Sequence, residues 1–206
     1  MKYANMKLED LFLLAKKGDG RAFEQIVLST ENAVYNLALS LLKNKEDAED
    51  VTQETYLRLW RSITELKIES SLKLYILKTA RNLALDLIRK NSRREDADTV
   101  IQGTDGEFEV DIEDTDSSSR PDIAYLQNIE AEAVRESIAE LPTAARELII
   151  LRDVEGLSYS EIATMLGIAE GTLKSKLFRA RARLRLIILS KKHFIIFENH
   201  GTFSKN

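Results

Sequence analysis

GLSYSEIATMLGIAEGTLKSKLFRARARLR, residues 156–185, divides into a short amphipathic helix, a glycine turn and a second, strongly basic helix. Ser158 and Glu161 stand at the S-x-x-E spacing of a capping box, which marks a helix start. Ile162, Met165 and Leu166 then supply an apolar face at helical spacing. Gly167 suits the left-handed residue that ends such a helix, and the small Ala163 before it lets a second helix cross closely. Past the turn, Leu173, Leu177, Ala180 and Leu184 recur at helical steps and predict one buried stripe. The other faces carry Lys174, Lys176, Arg179, Arg181, Arg183 and Arg185, with no acid between Lys174 and Lys192. A helix with an apolar back and a cationic front fits a DNA major groove, so the stretch reads as a helix-turn-helix. A basic face is often only solvated, and helical hairpins around a glycine are common. The capping box, the small-residue spacing and the unbroken positive charge together favour the DNA-reading unit.

A chain of 206 residues has room for one medium domain or two small ones. Two prolines, eight glycines and an aliphatic, charge-rich composition point to helices. With no cysteine there is no disulfide and no thiolate metal site, and His193 and His200 have no companion ligands. No metal or cofactor is therefore expected. Neither a leader-like hydrophobic run nor a membrane-length apolar stretch occurs, and a cytoplasmic protein without membrane insertion is expected. The net charge of −4 conceals a division. Residues 1–94 carry 17 basic and 13 acidic side chains, residues 95–140 carry 2 and 15, and residues 141–206 carry 11 and 6. Two basic blocks thus flank an acidic one.

In the amino-terminal block, Leu8 to Lys16 predicts a helix that Gly18-Asp19-Gly20 breaks. Ala22 to Leu42 predicts a longer one, and Asn44 caps a third whose first turns are rich in carboxylates. On that third helix Val51, Thr55, Leu59 and Ile63 face inward and Trp60 is expected as a core anchor. Asp47, Asp50, Gln53, Glu54, Leu57 and Arg58 share a more exposed sector, which on its own is most simply a solvated face. Ser70-Ser71 opens a fourth helix with Ile76, Ala80, Leu83 and Leu87 inward and Asn82, Asp86 and Arg89 opposite. Glu95 to Asp122 holds 11 acids against one base and cannot bury enough apolar area to order itself. It reads as a flexible linker, either a plain solvated tether or an acidic competitor for the basic helices. Ile123 to Glu140 and Thr143 to Asp153 predict two further helices separated by Leu141-Pro142. The apolar run His193 to Phe197 covers the domain's own core, serves a partner or is poorly ordered; sequence leaves all three open.

The stretch 156–185, with LPTAARELIILRDVEG before it, resembles region 4 of bacterial sigma factors. DAEDVTQETYLRLW, residues 47–60, resembles the region 2 helix that docks on the clamp coiled coil of the polymerase β′ subunit. YILKTARNLALDLIRK, residues 75–90, resembles the segment that reads and opens the −10 promoter element, with Tyr75 where tryptophan is frequent. Both likenesses, in this order, resemble the extracytoplasmic function (ECF) group of the sigma-70 family. That resemblance implies an all-α fold of two small helical domains, sigma region 2 and sigma region 4, joined by the acidic flexible linker. Residues 1–94 would be region 2, 95–122 the linker, 123–190 region 4 and 191–206 a tail.

The resemblance further implies a transcription initiation factor rather than an enzyme. Its partners would be core RNA polymerase, through the β′ clamp and β flap, promoter DNA and an anti-sigma factor. No small-molecule substrate is expected. Asp50, Gln53, Glu54, Leu57 and Arg58 are the core-polymerase candidates. Lys73, Lys78, Arg81, Asn82, Asp86 and Arg89 are the candidates for the −10 element. Thr172, Lys174, Ser175, Lys176 and Arg179 are those for the −35 element, some holding phosphates and others reaching base edges. The alternative is a stand-alone helix-turn-helix regulator, which would dimerise and hold a ligand pocket.

Overall fold

The computed structural model describes residue 3 and residues 6–68, 71–95 and 133–200. Among them every regular element is a helix. In chain order these are α1 (Leu8–Ala15), α2 (Gly20–Leu42), α3 (Lys45–Ser62), α4 (Leu72–Glu95), α5 (133–140), α6 (Thr143–Ile149), α7 (Tyr159–Leu166) and α8 (Glu170–His200). The expected linker and the first part of the helix expected over 123–140 lie outside the described residues. By contacts the chain divides into two compact units, Met1–Gly103 with Ile150–Gly167, and Thr104–Ile149 with Ile168–Asn206.

Local chemistry sets the helix ends in the first unit. Asp19 accepts from the backbone N–H groups of Arg21 and Ala22 to start α2, and Asn44 accepts from Asp47 to start α3. Between them Lys43 turns the chain in the left-handed region at φ 57°, a conformation that glycine or asparagine usually fills. Helices α2, α3 and α4 pack on one another around Ile26, Leu37, Leu59, Ile76 and Leu77, all fully buried. Thr30 and Tyr56 share a buried hydrogen bond of 2.8 Å that ties α2 to α3. Burial pushes the Tyr56 phenol up to about 12.

Trp60 departs from its expected place. It is 45 % exposed and stands edge-on against Phe23, with ring centroids 4.7 Å apart. Val51, Thr55 and Leu59 take the inward face, and one further residue turns the side chain about 100° off it.

In the second unit α6 packs along α8. The corner between α5 and α6 is held by Arg146, only 4 % exposed. Its guanidinium donates to the carbonyls of Ile138, Ala139 and Leu141 at 3.2, 2.7 and 2.7 Å. They lie at and just past the end of α5, where a cation is favoured, and the Ile138 carbonyl also accepts from the Leu141 N–H at 3.2 Å. Lys191 on α8 adds ion pairs to Glu136 and Glu140 of α5 at 3.3 and 2.7 Å.

The helix expected over Thr143–Asp153 is α-helical only to Ile149. Ile150–Val154 forms a π turn in which the Glu155 N–H reaches the Ile150 carbonyl at 2.8 Å. Gly156, at φ 73°, ends it. The backbone of α8 continues helically through the apolar run of the tail to His200.

Candidate nucleic-acid interface

The capping box that sequence spacing predicts is formed. Ser158 Oγ accepts from the Glu161 N–H at 3.2 Å, and Glu161 Oε2 accepts from the Ser158 N–H at 2.8 Å. The Ser158 N–H, then the Ser158 hydroxyl, hold the Glu161 carboxyl below its ordinary range, with Ser71 and Lys73 adding smaller effects. Gly167 closes α7 in the left-handed conformation, φ 67° and ψ 33°, and its N–H donates to the Ala163 carbonyl. Three residues later α8 begins.

Leu173, Leu177 and Ala180 are buried on α8, as the stripe requires, and Leu184 is half-buried. Thr172, Lys174, Ser175, Lys176 and Arg179 are all exposed and fall on the remaining faces of its first three turns. One exposed aromatic on this face goes beyond the sequence-predicted set. Phe178 is 55 % exposed in the middle of this cationic surface, one helical turn after Lys174. Its offset from the buried stripe, shared with Leu186 and Leu189, was the available signal.

On α4, Lys78, Asn82, Asp86 and Arg89 share one exposed face at helical steps of four, four and three. Arg89 pairs with Asp86 at 2.9 Å, and Arg81 is half-buried at the edge of this face. Tyr75 is half-buried as well. Lys73 is not part of the group. Its ammonium contacts the Glu155 carboxylate at 2.9 Å and the Glu155 carbonyl at 2.9 Å, within the first unit.

On α3, Asp50, Gln53, Leu57 and Arg58 are exposed and Glu54 is half-buried. Arg58 pairs with Glu54 at 2.8 Å, an exposed pair worth about 0.3–0.5 kcal/mol. Beside this strip opens a groove lined by Phe23, Val27, Gln53, Tyr56, Leu57 and Trp60. The displaced tryptophan therefore forms a wall next to the candidate docking residues, where a buried anchor could not. Among the described residues no group of three or more His, Cys, Asp or Glu could hold a metal ion, and no helix is long and apolar enough to cross a membrane.

Comparison with known proteins matches residues 26–94 to the family "Sigma-70 region 2" and residues 131–184 to "Sigma-70, region 4". The RNA polymerase sigma-H factor of Pseudomonas aeruginosa is 31 % identical over 167 residues, spanning 81 % of this chain and 86 % of that protein. The ECF RNA polymerase sigma factor SigW of Bacillus subtilis is 31 % identical over 170 residues, spanning 82 % and 90 %. Among solved structures, the sigma factor RpoE of Bartonella quintana, in complex with the anti-sigma factor NepR, aligns with a TM-score of 0.59 at 29 % identity. That alignment covers 81 % of this chain and 96 % of the other.

Proposed function

Because this chain belongs to the ECF group of the sigma-70 family of RNA polymerase sigma factors, we propose that it binds core polymerase through α3 and reads promoters through α8 and α4. The observation that carries this is the exposed cluster Thr172, Lys174, Ser175, Lys176 and Arg179, which begins five residues beyond a left-handed glycine. Such a cluster can enter a major groove with some side chains on phosphates and others on base edges. Its target would be the −35 element.

Lys78, Arg81, Asn82, Asp86 and Arg89 would face the −10 element, and Lys73 would join them only after leaving Glu155. Unstacking costs about 1.4 kcal/mol per base-pair step, and capturing one base on a side chain returns about 1–3 kcal/mol. One or two captured bases bias melting without driving it, so the polymerase channel is a necessary partner. The chain itself would supply no catalysis and no cofactor chemistry. Residues 1–94 and 123–190 would act as region 2 and region 4, with 95–122 as the connector. The setting would be cytoplasmic, with the β′ clamp, the β flap and an anti-sigma protein as protein partners. Binding of the sigma factor RpoE by NepR supports the last of these.

Asp50, Gln53, Glu54, Leu57 and Arg58 would meet the polymerase clamp. Charge reversal by Asp50→Lys with Glu54→Lys is expected to weaken capture by core polymerase about tenfold, since like charges then oppose. DNA binding by the free chain should not fall. Gel filtration with core polymerase and run-off transcription measure the two. Unchanged capture would remove α3 from the interface.

A further inference from the structure

The exposed side of α8 carries more than charge. Lys174, Phe178, Arg181 and Arg185 step by four, three and four residues, so they line one face of the helix, and all four are exposed. An aromatic ring thus sits among cations along about 16 Å of helix. Cations alone suit phosphates, and Phe178, 55 % exposed, adds an apolar contact in their midst. The acidic stretch of the same chain holds the matching pair of chemistries. Glu107-Phe108-Glu109-Val110-Asp111-Ile112-Glu113 alternates acid and apolar residue without a break, and no base occurs between Arg94 and Arg120. Seven extended residues span about 20 Å, close to the length of the α8 face.

Residues 107–113 lie outside the described residues, so chain length must decide whether they can arrive. Lys191 fastens α8 to α5 through Glu136 and Glu140, all within the second unit. From Lys191 back to Phe178 is 13 residues of helix, about 20 Å. Twenty residues separate Glu113 from position 133 on α5, a reach of up to about 65 Å. The segment therefore reaches the face with chain to spare. A tether this short keeps it there at an effective concentration on the order of 1 mM, so a contact too weak to join separate molecules still forms.

We propose that residues 107–113 occupy the Lys174–Arg185 face of α8 in the free chain, as an intramolecular competitor of DNA. The proposal rests on the reading of α8 as the DNA-binding helix. Competition of this kind lowers the affinity for every DNA sequence by the same factor, one plus the effective concentration over the dissociation constant of the contact. It withholds the free chain from DNA without altering which sequence α8 prefers.

Fluorescence anisotropy with the full chain, a labelled promoter duplex and a labelled duplex of unrelated sequence tests this. Glu107→Gln, Glu109→Gln, Asp111→Asn and Glu113→Gln together are expected to raise affinity for both duplexes about fivefold. Removing acids also lifts general repulsion from DNA, so a second variant keeps the charge. Phe108→Ser with Val110→Ser and Ile112→Ser is expected to raise both affinities about threefold, in salt that screens undocked charges beyond about 8 Å. Unchanged affinity in either variant, or a gain confined to one duplex, overturns the competitor. Lys174→Ala with Arg179→Ala serves as the control for the reading beneath it. If that variant binds both duplexes as tightly as the natural chain, α8 is not the DNA-binding helix, whatever the other variants do. If it binds them more weakly while the other variants match the natural chain, only the competitor falls.

Discussion

Lys174→Ala and Arg179→Ala are each expected to cut −35-dependent initiation roughly 5- to 150-fold while capture by core polymerase stays as it was. The range corresponds to about 1–3 kcal/mol for a lost base contact. Both side chains leave the exposed face of α8 and neither belongs to the buried stripe of Leu173, Leu177 and Ala180, so the helix keeps its packing. The salt dependence separates the two roles. A residue that only holds a phosphate lowers the slope of log affinity against log salt by about 0.9 and weakens all sequences alike. A residue that reads a base edge leaves the slope nearly unchanged and relaxes preference at one position. Run-off transcription from promoters altered one base at a time, at two salt concentrations, gives both numbers. If neither substitution lowers initiation, α8 does not read the −35 element.

Arg146→Ala is expected to be the most damaging single change to the fold. The guanidinium is buried and donates to three carbonyls at the α5–α6 corner, so its loss strands those of Ala139 and Leu141, while Ile138 keeps the Leu141 N–H. Hydrogen bonds to a charged group contribute about 1.5–3 kcal/mol each, and refilling water returns part of this, leaving a cost of about 3 kcal/mol. For a helical unit of this size that lowers the melting midpoint by more than about 10 °C. Arg146→Lys should recover little, because one ammonium lacks the planar fork that spans three carbonyls. Thermal unfolding followed by circular dichroism decides the matter. An unchanged midpoint would mean that the α5–α6 corner is held by something else.

Much of this was legible in the residues, for identifiable reasons. Local signals carried the helix ends: Asn44, Ser158 with Glu161 and Gly167 act within one turn of themselves, so spacing alone announced them. Periodicity carried the buried stripe of α8 for the same reason. What escaped depended on contacts distant in sequence. Nothing near Arg146 announces that its charge turns inward, because its partners lie five to eight residues back across a proline corner. By sequence Lys73 is one more cation on a DNA-facing helix, and its partner Glu155 lies 82 residues away. The size and apolarity of Trp60 suggest burial, whereas its position one residue past Leu59 turns it outward. The left-handed Lys43 was also hidden, since a lysine does not advertise that conformation.

The half-open position of Trp60 has a practical consequence. It is the chain's single tryptophan, and it borders the groove beside Gln53 and Leu57. The protein therefore carries its own fluorophore at the rim of the surface assigned to the clamp. Seating a clamp-derived peptide there should draw the indole out of water and shift its emission to shorter wavelength, giving an optical titration that needs no label.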